Sequence, residues 1–234
     1  MNKLLTTIIA TSFAIMSFAG TANSMEFKVG VTGQSTGYYA NATEKVKDAG
    51  NHVTEEAIAA FSYMSVFTEV SFDEAYGITV GVEYTPESIK LEKADRVIQT
   101  SAGDRGLAAD AGEETGTQVI EAAFNDLMVI YAAVPLMDTG LHVKAGLMSA
   151  TLVTKENLAT GSTYGNKTVN GGTVAMYYDG DLGSSAFYRV EGAYNAFDDI
   201  SMRGSEAGAD TGSFNVIDVE LAGVAAKVSV GMKF

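Results

Sequence analysis

The chain has no cysteine, so no disulfide holds it together and a structure of this length must rest on packing and hydrogen bonding alone. Cations are scarce: 15 Lys and Arg stand against 29 Asp and Glu, a formal charge of −14. Nucleic acid is excluded as a partner on that ground, because its affinity comes from basic side chains neutralising phosphates. Beyond the first 24 residues no stretch holds about 18 successive apolar residues, which excludes a spanning helix. Any membrane role then falls to strands, the other structure that satisfies its backbone in lipid. Histidine is nearly absent too, with two in the whole chain.

What is present starts with the amino terminus, MNKLLTTIIATSFAIMSFAGTANS. One cation, Lys3, precedes an apolar stretch from Leu4 to Phe18, and Ala22 and Ser24 stand three and one before a cut after Ser24. Thr6, Thr7, Thr11 and Ser12 interrupt the stretch, and no cationic flank follows it, so the pattern predicts a secretory signal peptide over 1–24 rather than an anchor. Residues 25–234 are expected to form one domain, at a charge of −15 once Lys3 is lost.

That domain alternates with period two. Phe27, Val29 and Val31 oppose Lys28, Gly30, Thr32 and Gln34; Met64, Val66, Val70 and Phe72 oppose Ser65, Glu69 and Ser71. Tyr76, Ile78, Val80, Val82 and Tyr84 oppose Gly77, Thr79, Gly81 and Glu83. A fourth strand over 117–134 loses phase at Asn125 and Asp126, where a bulge is expected. In the fifth, Leu141, Val143, Ala145 and Leu147 oppose His142, Lys144, Gly146 and Met148. A sixth covers 173–178 and the turn DGDLGS follows it. The seventh opposes Tyr188, Val190 and Tyr194 to Arg189, Glu191 and Asn195, and the eighth runs from Phe214 to Phe234. Connections are long and polar after strands one, three, five and seven, including an acidic loop over 95–116, and short after two, four and six. An all-β, closed, antiparallel, up-and-down barrel of eight transmembrane strands gives this rhythm, with short turns at one rim and long loops at the other. Aromatics supply a check: Phe27, Phe72, Tyr76, Tyr131, Tyr177, Tyr178, Tyr188 and Phe234 fall near the short turns, and Tyr38, Tyr39, Phe61, Tyr84, Phe124 and Tyr194 near the long loops, as two interfacial girdles would.

The last strand ends KVSVGMKF, with Val228, Val230, Met232 and Phe234 on one face. Together with the leader and the eight strands, this ending resembles the small bacterial outer-membrane barrels of the OmpX and OmpA transmembrane type, whose final strand commonly closes Val-Gly-aromatic-basic-Phe. Here Met232 replaces the aromatic. The resemblance implies a Gram-negative outer membrane, lipid and lipopolysaccharide as surroundings, and insertion by the barrel assembly machinery, with Val230, Met232 and Phe234 as the assembly signal.

An eight-stranded barrel is just wide enough for its own side chains. The inward set contains Lys28, Glu69, Glu83, Lys144, Arg189, Glu191 and Lys227, with Gln34 and His142, and is expected to form a charge network that plugs the lumen. Neither His52, expected in the first long loop, nor His142 is accompanied by a serine and an acid at diagnostic spacing, so no enzyme is expected and no cofactor. The loops carry Asp104, Asp110, Glu113 and Glu114, then Asp198, Asp199, Glu206 and Asp210, without the spacing of a calcium loop, and are expected to be a solvated anionic surface without a metal. The expected function is that of a monomeric structural or surface-interaction protein acting through four extracellular loops. The alternatives are a narrow porin-like channel for ions or small molecules, a conduit for small hydrophobic molecules, and a soluble lipocalin-shaped barrel, the last opposed by the apolar row from Tyr76 to Tyr84.

Overall fold

The computed structural model describes residues 25–45, 52–72, 77–90, 94–100, 114–157, 163–207 and 214–234. The leader over 1–24, Tyr76 and the loop acids Asp104, Asp110, Glu113 and Asp210 lie outside the described residues. Eleven strands follow one another: β1 Met25–Lys45, β2 His52–Phe72, β3 Ile78–Thr85, β4 Ile89–Lys90, β5 Ala94–Thr100, β6 Glu114–Pro135, β7 Leu141–Asn157, β8 Lys167–Asp181, β9 Ala186–Phe197, β10 Ile200–Ala207 and β11 Phe214–Lys233. Eight of them form a ring in the order β1-β2-β3-β6-β7-β8-β9-β11, every pair antiparallel, and β1 pairs with β11 to close it. β4 and β5 continue the third stave along β6, and β10 continues the seventh along β11. Pro86 follows β3 directly, where a residue without an N–H cannot extend the ladder.

The closing seam runs from Lys28↔Lys233 to Lys45↔Val216 without a shift. Beyond it, Phe27 and Phe234 exchange backbone bonds of 3.2 and 2.9 Å, and their rings stand 6.3 Å apart. The expected irregularity in β6 is there: the register with β7 shifts between Asn125 and Met128, Asp126 takes φ 54°, and its Oδ1 accepts the Tyr84 hydroxyl at 2.8 Å.

Two expectations need correction. The polar tracts expected as long loops are largely strand. β1 and β2 run to Lys45 and from His52, so His52 opens a strand, and the supposed loop over 95–116 contains β5 paired with the start of β6, Thr100↔Glu114 to Ala94↔Ile120. Gly, Asn, Asp and Glu lower strand propensity, but a barrel wall that continues above the membrane supplies the pairing that propensity lacks. Second, the girdles are thinner than expected. Tyr38, Phe61, Phe124, Tyr131 and Tyr177 sit on the inward face, four of them almost fully buried. Tyr39, Tyr194, Tyr178 and Phe234 stay outside and exposed.

Each stave of the ring exposes a large aliphatic side chain on its outer face: Val31, Met64, Val80, Ile130, Leu147, Val174, Val190 and Val224. On β1 the outward row from Val29 to Tyr39 spans roughly 25 Å at ~3.3 Å per residue and a tilt near ~40°, the height of a transmembrane barrel's apolar band. No helix among the described residues is long and apolar enough to cross a membrane.

Candidate functional site in the barrel lumen

The interior has two layers. Toward the short turns, the inward positions carry charge. Arg189 lies between two carboxylates: its Nη1 and Nη2 donate to Glu69 at 2.9 and 2.7 Å, and its Nε and Nη2 to Asp179 at 2.6 and 2.8 Å. Its guanidinium also covers the Tyr177 ring at 3.9 Å. Lys28 adds a bond of 3.0 Å to Asp179 and stands 3.9 Å from Glu69, whose Oε2 accepts the Tyr131 hydroxyl at 2.7 Å. One level up is a second cluster. Lys144 donates to both oxygens of Glu191 at 2.6 Å and Lys227 to both oxygens of Glu83 at 3.0 Å; the crossed distances are 3.9 and 3.5 Å. Ser65 and Gln34 complete Glu83 with bonds of 2.7 and 3.4 Å.

Register explains much of this. Lys28↔Glu69, Asp179↔Arg189 and Glu191↔Lys227 are direct cross-strand pairs on a common face, so the sheet brings each together before any side chain reaches across the lumen. Glu83 on β3 and Lys227 on β11 meet through the lumen across the two intervening strands β1 and β2. All seven inward charges expected from the sequence belong to the two clusters. Asp179 is not among the expected inward charges, because the sequence places it in the DGDLGS turn. β8 extends to Asp181, so Asp179 keeps the inward parity of Tyr177, and its charge makes four cations face four carboxylates. Continuing the alternation by two residues past Tyr177 is the signal that finds it.

Inward glycines make room for the rings. Gly81 sits opposite Tyr131, and a Cβ on it would meet the Tyr131 ring at 2.5 Å; Gly231 sits opposite Phe187, and a Cβ there would meet that ring at 2.7 Å. His142 stacks on Tyr177 with ring centres 4.6 Å apart, and its Nδ1 lies 3.2 Å from the Gly140 carbonyl oxygen.

Toward the long hairpins the interior turns apolar, a lining that the expected charge network does not include. Tyr38, Tyr63, Leu127, Val129, Met148, Leu152, Ile200 and Leu221 form one cluster, capped by the stacked rings of Phe124 and Phe197 at 5.3 Å. Where the layers meet, a cavity of about 10 Å³ is left between Gln34, Tyr63, Glu83, Asn195 and Lys227, room for one water. A far larger concavity, about 960 Å³, belongs to the lipid-facing wall beside Val80, Ile130, Leu147 and Val174, outside the barrel. No group of three or more His, Cys, Asp or Glu suited to a metal ion occurs among the described residues.

No family model and no curated protein matches the chain. Solved structures do. The outer membrane protein OprG from Pseudomonas aeruginosa aligns over 90% of this chain and 96% of its own at 12% identity and a TM-score of 0.52. The chain has the fold of the small bacterial outer-membrane β-barrels. Neisserial surface protein A is similar over 86% of this chain and 96% of its own, with 12% identity and a TM-score of 0.38, and the outer membrane protease OmpT from Escherichia coli over 92% and 98%, with 10% and 0.42. An apolar belt outside and a neutralised charge network inside are what this outer-membrane barrel fold requires of its two surfaces.

Proposed function

We propose that this barrel is a closed, integral outer-membrane protein with a structural and surface-interaction role, presented to the outside by the long hairpins of its extracellular half. The observation that carries the proposal is the filled lumen. Two neutral charge clusters occupy the periplasmic half and an apolar cluster the extracellular half, with a gap of about 10 Å³ between them. An ion crossing that interior would have to displace Lys144, Glu191, Glu83 or Lys227 from a partner within 3.0 Å, each a buried charge worth several kcal/mol when unpaired. The role is non-catalytic in this proposal: His142 is held by stacking and a backbone carbonyl rather than by a nucleophile.

Monomeric insertion by the barrel assembly machinery, lipopolysaccharide as the surrounding lipid, and Val230, Met232 and Phe234 as the recognised end belong to the same proposal. Those three side chains are 49%, 50% and 63% exposed on the outer face of β11, where an inserting factor can reach them. Single-channel recording of the purified protein in a planar bilayer tests the closed reading. The expected trace is silent; reproducible conductance that changes in Glu83→Gln establishes the pore alternative instead.

A further inference from the structure

The concavity of about 960 Å³ on the outer wall follows the register of the sheet. Thr68↔Val82↔Ile130↔Leu147↔Gly172↔Ala196 is one outward cross-strand row, running from β2 to β9. The next outward row below it runs from Val70 to Tyr194, and the concavity is the furrow between the two. Ile130 and Leu147, 55% and 75% exposed, form its upper bank. On the lower bank Ala132 and Ala145, directly paired, leave the middle open between Val80 and Val174. Five strand spacings of ~4.8 Å make the furrow roughly 24 Å long, and at a tilt near ~40° it climbs roughly 15 Å, half of a ~30 Å hydrocarbon core.

Its two ends differ. The lower end opens at Phe27, which pairs with Val70 at the periplasmic rim. The upper end stops at Ala196, and above it stand exposed Asp198, Asp199 and Glu220. Those carboxylates repel a phosphorylated headgroup held at the outer surface. Thr68 lines the lower end opposite Val29, where the outward apolar row of β1 begins, and its Oγ1 has no hydrogen-bond partner among the described residues. One χ1 step exchanges its methyl and hydroxyl and turns the hydroxyl to the furrow. An unpaired hydroxyl in hydrocarbon is unfavourable, and a glycerol ester carbonyl is the acceptor that a lipid supplies just inside the membrane surface.

We propose that this furrow holds one acyl chain of a glycerophospholipid of the periplasmic leaflet, entering beside Phe27 with its ester carbonyl on Thr68 and its methyl end toward Ala196. Hydrocarbon already covers this wall, and a furrow with aliphatic banks gains dispersion contacts along the whole length of one chain. The site needs the outer-membrane placement of the barrel and not its closed lumen.

The folded barrel is extracted into detergent from vesicles of dipalmitoyl phosphatidylethanolamine and lipid A in equal parts, and the retained lipid is counted by native mass spectrometry. One phosphatidylethanolamine per barrel is expected, in about tenfold excess over lipid A. Ala132→Leu and Ala145→Leu, both at exposed positions, fill the middle of the furrow and cut retention about tenfold, the equivalent of about two buried methylenes. Ala226→Leu, the same change on the outer face of β11, keeps the lipid. Thr68→Val preserves the shape and lowers retention about threefold or more, while Thr68→Ser restores it. Gly172→Leu closes only the upper end, and its Cβ meets nothing nearer than the Gly146 carbonyl oxygen at 3.7 Å, so the wall is undisturbed. It rejects the dipalmitoyl lipid and keeps a didecanoyl one. Retention that survives both alanine replacements or Thr68→Val, equal retention of lipid A, or loss of both chain lengths in Gly172→Leu overturns the proposal. Bilayer conductance tests the closed lumen separately: a barrel that conducts and still retains the lipid sinks only the closed reading.

Discussion

Replacing Arg189 with methionine removes the side chain that hydrogen-bonds both Glu69 and Asp179. Four charge-assisted bonds of 2.6–2.9 Å disappear. Each is nominally worth about 1.5–3 kcal/mol, but their sum overstates the loss, because neighbours stay behind. Asp179 keeps Lys28 at 3.0 Å, whereas Glu69, fully buried, keeps only Lys28 at 3.9 Å and the Tyr131 hydroxyl. The uncompensated charge is therefore mainly Glu69, and breaking one partner out of a buried network costs about 3–5 kcal/mol. A paired replacement is the control. Lys144→Met with Glu191→Leu removes one charge of each sign and leaves Lys227 on Glu83 at 3.0 Å, so its cost is expected below about 1 kcal/mol, since apolar replacement of a whole buried pair is often neutral. Urea unfolding of barrels refolded into lipid vesicles, read by the mobility difference between folded and unfolded protein on a gel, measures both. A cost for Arg189→Met below about 1 kcal/mol, or a double replacement as costly as the single one, refutes the account of the lumen as an electrostatic plug.

Gly81→Ala is expected to destabilise by about 1–3 kcal/mol, because its Cβ would stand 2.5 Å from the Tyr131 ring, whereas Gly33→Ala, with nothing within 4 Å, should stay within about 0.5 kcal/mol in the same unfolding experiment. Val228→Arg, midway along the outward row of β11, should cost about 2–4 kcal/mol, and Ala222→Arg, near its extracellular end, about 0–1 kcal/mol; equal costs would contradict the placement of the apolar belt. Deleting Phe234 should reduce insertion in cells more than it lowers the urea midpoint of protein refolded in vitro, because the residue is 63% exposed and contributes only a ring contact and the two last backbone bonds of the seam, all to Phe27. Normal insertion of the shortened chain removes its role as an assembly signal.

The eight staves were legible because the membrane imposes a strict period of two on each of them, and a side chain on the wrong face is costly in lipid. The inward charges were legible for the same reason: Glu83 and Lys227 each stand among apolar neighbours of opposite parity. Asp179 was hidden by its own neighbours, since Gly180 and Gly183 mark a turn more loudly than Tyr177 marks a strand. The long hairpins were hidden by composition. Nothing local to Thr100 or Glu114 announces a strand; their pairing exists because β6 supplies a wall to lie against.

The unexpected apolar layer has a cause that one strand displays. Along β11 the odd residues face inward throughout, and from Lys227 to Gly231 they are polar or small while Val228, Val230 and Met232 face out. From Leu221 upward the polarity is exchanged: Leu221 and Val219 face inward and Glu220 and Asp218 outward. The backbone has not changed face, so the solvent has. Below, the wall meets lipid and its interior must be polar or paired; above, it meets water and needs an apolar core like any soluble barrel. β2 makes the same exchange between Met64 and Glu56, and β1 between Val31 and Asn41. The point of exchange on each stave, near Ala222, Ile58 and Tyr39, falls in one cross-strand row, which places the outer surface of the membrane on the sequence itself. One polarity assigned to the inward face of a whole strand therefore misplaces whichever half lies in the other solvent.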